Sequence, residues 1–211
     1  MLKDQMEKIY RDLPLDKIPW NIETPPSILK DIVKTEKIKP CRVIEFGCGA
    51  GNYVMYLAGK GYDATGVDFS KPAIEIAKKS ASKMEVDCNF ISSDVLGDMA
   101  EIQDTFDFAY DWELLHHIFP EDRETYINNV HRLLNPEGIY LSVCFSEKSP
   151  EFGGAGKYRK TPLGTVLYFS SESEIVSLVE PFFEIEELET VQIEGKYGPH
   201  IAVYAFLKKK P

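Results

Sequence analysis

The stretch Val43-Ile44-Glu45-Phe46-Gly47-Cys48-Gly49-Ala50-Gly51-Asn52 decides how this chain is read. A short, partly β-branched apolar run ends in three glycines at alternate positions, and a helix-compatible segment, 52–60, follows. A strand that hands over to a helix in this way lies at the carboxyl edge of an open parallel sheet, where such sheets bind ligands. Glycines there allow a tight turn and let backbone approach a ligand that a Cβ would obstruct. A dinucleotide site would carry G-x-G-x-x-G and rest a pyrophosphate on the helix N-terminus. Here the spacing is G-x-G-x-G, Asn52-Tyr53 stands in place of the third glycine, and Glu45 precedes the turn. Its charge would repel a diphosphate and suits a ligand bearing an ammonium and a sulfonium group.

Beyond the turn, the chain alternates. Strands are expected at 41–46, 63–67, 87–91, 106–111 and 138–145, with helices at 52–60, 72–82 and 123–134 and a short one near 97–101. This rhythm implies right-handed crossovers and a parallel sheet covered on both faces, which is why the strands carry few charges. Ser70 and Ser171 are the expected caps of the helices at 72–82 and 171–180. Residues 147–164 form a long Gly/Pro/Lys-rich connection, and two final strands, 182–193 and 200–207, follow with no helix between them. They are expected to pair as an antiparallel hairpin at the sheet edge. On the other side, residues 1–40 are polar and proline-punctuated, with helices at about 2–11 and 25–38, the second capped by Thr24.

Composition narrows the class. At 211 residues, 44% hydrophobic and 27% charged, the chain suits one globular domain. A net charge of -10 disfavours a nucleic-acid substrate. The four cysteines show no C-x-x-C spacing, so neither a zinc site nor a disulfide framework is expected, and no metal is called for. The N-terminus lacks the apolar run of a signal peptide and no segment has the length of a membrane span, so a cytoplasmic protein is expected.

Several residues outside the glycine turn carry chemistry. Asp68 ends the second strand, where a carboxylate can accept both ribose hydroxyl hydrogens. Asp94 follows the third strand and can accept a hydrogen bond from an adenine amino group. His116 and His117 follow the fourth strand at the catalytic edge and are candidate bases near neutral pH. Tyr158 and Arg159, in the long loop after the fifth strand, could receive a flat or anionic acceptor. Trp20 could close over the site from the N-terminal segment and exclude water.

The set "VIEFGCGAGN", "GVDFS", "SSDV" and "FDFAYDWELLHHI" resembles successive motifs of class I S-adenosylmethionine-dependent methyltransferases. The resemblance runs from about residue 41 to 146. Pro19-Trp20, the Trp112…His116-His117 segment and "CFS" before a Gly-rich loop are similar to the thiopurine, thiol and tellurite branch. The resemblance implies an α/β fold: an open seven-stranded, mostly parallel Rossmann-like sheet with helices on both faces and the last strand antiparallel. It implies that Glu45, Gly47 and Gly49 line the methionine end of S-adenosylmethionine, that Asp68 holds the ribose and that Phe69 packs on adenine. Asp94 and Val95 would contact the adenine edge. Asp111 would lie beside the sulfonium, with a part in catalysis alongside His116, and Trp112, His116 and His117 would approach the acceptor.

The chain is thus expected to be one methyltransferase domain, 1–211, made of an N-terminal helical lid (1–40), a donor-binding core (41–146) and an acceptor loop with a C-terminal helix and hairpin (147–211). Its expected partner is a small-molecule methyl acceptor, a thiol or other soft nucleophile. Two rivals stay open at this point: a donor-binding protein without catalysis, and a nicotinamide-dependent oxidoreductase. Oligomeric state is not legible.

Overall fold

The structure, a computed structural model, describes residues 2–211. The first strands and helices follow the alternation of the sequence: β1 (Arg42–Phe46), α3 (Asn52–Ala58), β2 (Asp63–Asp68), α4 (Lys71–Met84) and β3 (Asn89–Ser92). Before them lie α1 (Leu2–Asp12) and α2 (Ser27–Lys34). After them come β4 (Phe106–Trp112), α5 (Pro120–Leu133), β5 (Leu134–Phe145), β6 (Tyr158–Lys160), β7 (Val166–Tyr168), α6 (Glu172–Val179), β8 (Phe183–Ile193) and β9 (His200–Lys209). Seven strands form one sheet in the order β3-β2-β1-β4-β5-β9-β8. The pairs from β3 through β5 are parallel, whereas β9 pairs antiparallel with both β5 and β8. The expected C-terminal hairpin therefore forms, with β9 inserted inside the edge strand β8.

Alternation along each strand sends neighbouring residues to opposite faces. Val43, Phe108, Leu141 and Phe206 join Leu29, Val54, Leu57 and Ile74 of α2, α3 and α4 on one face. Ile44, Ala109, Tyr140 and Val203 join Ile127, Val130 and Leu133 of α5 and Ile175 and Val179 of α6 on the other. A third cluster sits apart: Met6, Ile9, Tyr10 and Ile18 pack on Ala73 of α4, with Trp20 and Phe69 against them. The N-terminal segment is thereby laid across the start of α4, beside the glycine turn.

Local signals explain most boundaries. The Ser70 hydroxyl accepts from the Ala73 amide at 3.3 Å to cap α4, and Ser171 forms a capping box with Glu174 at the start of α6. Three expectations fail. The short helix near 97–101 is absent, because Asp94 and Asp98 side chains accept from the Leu96 and Ala100 amides and hold turns instead. The loop at 147–164 is not structureless: β6 and β7 form a small separate hairpin within 158–168. Thr24 does not cap α2, which starts two residues after Pro25, with Pro26 in the capping place.

Candidate active site

The turn from β1 to α3 is tied to β2 at two points: the Cys48 amide donates to the Val67 carbonyl at 3.0 Å, and the Gly49 amide to Asp68 Oδ2 at 3.0 Å. Gly47 and Gly49 have φ of +70° and +52°, a region costly for other residues. A Cβ on Gly47 would meet Leu114 Cδ1 at 2.8 Å, and one on Gly49 would run into the Tyr10 hydroxyl. The backbone here is thus hemmed in, and only glycine leaves space above it.

Two buried carboxylates face that space. Glu45 accepts from the Tyr110 hydroxyl at 2.9 Å, and Asp68 accepts from the Ser70 amide at 2.8 Å in addition to Gly49. Burial pushes Glu45 up to about 8, against the pull of the Tyr110 hydrogen bond and with help from the nearby charge of Asp68. Asp68 is pushed up to about 6 by burial, opposed by the two amides it accepts from. Each Asp68 oxygen is bonded to one amide, which leaves acceptor capacity toward the cleft. Two carboxylates short of cations, beside a turn with no room for Cβ atoms, fit a ligand offering an ammonium group and sugar hydroxyls.

The same cleft continues toward the end of β4. Trp112, Glu113, Leu114 and His117 line it together with Glu45, Gly47, Gly49, Asp68 and Phe69, while Met6, Tyr10 and Trp20 close it from the N-terminal side. The Trp20 indole donates to the Tyr10 hydroxyl at 2.9 Å, and its ring lies edge-on to His117 at 6.4 Å. Asn52 holds this cover down by donating to Asn21 Oδ1 and the Ile22 carbonyl at 3.0 and 3.1 Å. Lys196, from the turn between β8 and β9, donates to the Ile18 and Asn21 carbonyls at 2.8 and 3.2 Å. The remaining space is about 110 Å³. That is well below the roughly 300–1,000 Å³ of small-molecule sites, because Tyr10 and Trp20 occupy the mouth.

The structure does not bring every expected residue into this cleft. Asp111 is fully buried beneath it, its carboxylate accepting from the hydroxyls of Tyr126 (3.0 Å), Tyr140 and Ser142 (3.2 Å). With its acceptor sites so engaged, it braces β4 against α5 and β5 and does not reach a ligand. His116 lies with its ring 4.6 Å from that of His117 and stacks on Phe145 at 4.4 Å, outside the cleft lining. Burial drives its pKa well below the usual histidine value, which makes it a poor base. Asp94 is paired with Lys3 of α1 and lies outside the cleft, and the side chain of Val95 is packed in the α5-side core.

The loop residues are also reassigned. Arg159 is buried, and its guanidinium donates to the carbonyls of Glu147, Ser149, Glu151 and Gly156 while lying 3.9 Å over Phe169. It clamps the loop, with four of its five N–H donors taken by loop carbonyls. Tyr158 is 56% exposed, set against Phe119 and Tyr168 away from the cleft.

Sequence reasoning missed Tyr10, Asn52, Tyr110 and Glu113. Tyr10 and Asn52 carry no local signal, since their roles come from segments distant in the chain. Glu113 does carry one: it stands immediately past the end of β4, at the ligand-binding edge.

A family model described as a methyltransferase domain matches residues 43–138. The 2-heptyl-1-hydroxyquinolin-4(1H)-one methyltransferase of Mycobacteroides abscessus is 25% identical, over 91% of this chain and 82% of that protein. Probable thiol methyltransferase 2 of Arabidopsis thaliana is 26% identical, over 60% of this chain and 56% of its own length. The chain thus spans most of the first relative and about half of the second. A solved structure from work on conversion of a disulfide bond into a thioacetal group during echinomycin biosynthesis superposes with a TM-score of 0.82 at 21% identity, over 100% of this chain and 93% of that one. The domain match falls on the glycine turn and the strands around it, and over that stretch the chain resembles the class I S-adenosylmethionine-dependent methyltransferases.

Proposed function

We propose that the protein transfers the methyl group of S-adenosylmethionine to a small molecule, with a thiol or other soft nucleophile as the acceptor. One observation carries this reading: the acidic, glycine-floored half of the cleft runs without a break into an aromatic and histidine-lined half, under a cover made by Tyr10 and Trp20. Glu45 would hold the ammonium group of the donor, Asp68 the ribose hydroxyls, and Phe69 would pack beside the adenine. Trp112 and His117 would shape the acceptor side.

The donor supplies an activated methyl group, so the task left to these side chains is alignment and exclusion of water. A covered cleft favours an acceptor small enough to be enclosed, and the net charge of -10 weighs against nucleic acid. The names of the two relatives, a hydroxyquinolone and a thiol methyltransferase, agree with a small acceptor. Residues 1–40 act in this reading as a lid that must shift for the donor to enter, since the space beneath them is too small as it stands. Residues 41–146 bind the donor, and 147–211 frame the acceptor side.

The test is release of S-adenosylhomocysteine in the presence of thiols, purines and chalcogen oxyanions, set beside hydroxyl acceptors. Turnover with soft nucleophiles is expected. Turnover on hydroxyl acceptors alone would reject the soft-nucleophile assignment, and binding of a pyridine dinucleotide in place of the donor would reject the whole reading. Trp20→Ala that leaves donor binding and turnover intact would reject the lid.

A further inference from the structure

Among the described residues, four buried side-chain atoms have no hydrogen-bond partner: Glu113 Oε1, His116 Nδ1, His117 Nδ1 and Glu151 Oε2. All four gather beyond the carboxyl ends of β4 and β5, where the antiparallel β9 also begins. Unmatched polar atoms in a protein interior are costly, so a cluster of them points to a ligand that completes it. Of the four side chains, only Glu113 and His117 line the cleft that holds the donor-side carboxylates.

Glu113 is further distinguished by its backbone. Its φ is +61°, strained for a residue with a side chain, and its amide is pinned to the Val143 carbonyl at 2.8 Å. Glu113 lines the cleft between Trp112 and Leu114, with its Oε1 buried and unpartnered.

We propose that Glu113 takes the proton from the acceptor, so that the site selects a neutral small molecule whose reacting atom carries one, a thiol in its protonated form. The inference rests on the methyl-transfer reading above and goes beyond it by naming the base and the class of acceptor. The X–H bond breaks, its proton goes to Glu113 Oε1, and the electron pair stays on X to attack the methyl carbon. The methyl–sulfur bond then breaks with its pair returning to sulfur, and the proton on Glu113 is afterwards lost to solvent.

The groups facing Glu113 suit that role. They are Tyr53 of α3, His200 of β9 and Glu151, with His117 on the adjoining turn of the cleft. His200 is already committed to Glu151 at 3.1 Å, so no side chain neutralises Glu113 permanently. Burial raises Glu113 to about 7, opposed by His200 and reinforced by Glu151. His117 is driven down to about 4 by burial, so it is the weaker base of the two and serves as a neutral wall.

The experiment compares wild type with Glu113→Gln, which keeps the shape and loses the basicity. S-adenosylmethionine binding by calorimetry is expected to be unchanged, which controls for folding. At saturating donor, turnover of thiols should fall by about 10²–10⁴-fold. The acid limb of kcat/KM near pH 7, common to thiols of different acidity, should vanish in Glu113→Gln and persist in His117→Ala. A variant that keeps its rate within about threefold and keeps the limb overturns the proposal.

A second readout needs no turnover. Infrared titration of donor-free protein labelled with ¹³C-glutamate should show a carboxyl band titrating near pH 7 that is lost in Glu113→Gln. Titration below pH 5 overturns the assignment. Donor binding without transfer to any acceptor would instead sink the methyl-transfer reading, and the infrared band would then judge Glu113 by itself.

Discussion

Donor binding should depend on pH in a way set by Glu45. In the donor-free protein this carboxyl is raised to about 8 by burial, so near pH 7 it is mostly protonated, and it must ionise to hold an ammonium group. Below pH 8, affinity should therefore fall toward a slope of about tenfold per pH unit. The ligand contributes the opposite limb, because an α-amino group titrates at about 7.7–8.0 and loses its charge above that. Combining the two, affinity should peak close to pH 8 and drop about twentyfold by pH 6, about 1.8 kcal/mol. Calorimetry at pH 6, 7, 8 and 9 reads the curve. In buffers of different ionisation enthalpy at pH 7, it should also register release of nearly one proton on binding. Glu45→Gln should weaken binding at pH 8 and flatten the acid side. Affinity that is level from pH 6 to 8 in wild type, or a slope that survives in Glu45→Gln, would refute the assignment of the ammonium to Glu45.

Stability of the donor-free protein should run opposite to the usual acid-denaturation trend over part of the range. Glu45 and Glu113 are raised above their ordinary value in the folded state, so their contribution is complete below about pH 4.5 and is lost as pH climbs to about 7 for Glu113 and about 8 for Glu45. The urea midpoint should thus decline from pH 5 to 8, less steeply in Glu45→Gln; a midpoint that rises throughout this window contradicts the burial argument. Asp111→Asn should cost about 2 kcal/mol, because charge-assisted hydrogen bonds from Tyr126 and Tyr140 are weakened, and chemical denaturation will detect it. An Asp111→Asn protein of full stability but no turnover would restore a direct catalytic part for that residue. Arg159→Ala should expose the 147–156 loop to proteolysis by releasing the carbonyls it gathers; an unchanged digestion pattern with a raised acceptor KM would return Arg159 to the acceptor site.

Much of this was written in the chain order itself. Apolar runs of strand length alternating with helices required a parallel sheet, because each element's apolar stripe had to be covered by its sequence neighbour. The G-x-G-x-G turn with Glu45 ahead of it and Asp68 at the end of β2 were legible for the same reason: a strand end, a turn and a helix start are local events. Ser70 and Ser171 announced their helices through hydrogen bonds spanning three residues.

What the tertiary structure alone decided lies at longer range. Direction was the first such matter: a carboxylate near the end of β4 can face ligand or core, and Asp111 and Glu113, two residues apart, take opposite fates. Tyr126 and Tyr140 draw Asp111 into the interior, while Glu113, at a strained φ, lines the cleft. His116 and His117 divide in the same manner between Phe145 and the ligand side. Arg159 is expected from the sequence to receive an acceptor, yet folding brings four loop carbonyls within reach of its guanidinium. The cover over the site joins residues as far apart as Ile18 and Lys196. Periodicity fixes which elements form, since it is a property of neighbours. Where a polar side chain finds its partner depends on which distant groups folding brings within about 3 Å of it, and no local pattern encodes that distance.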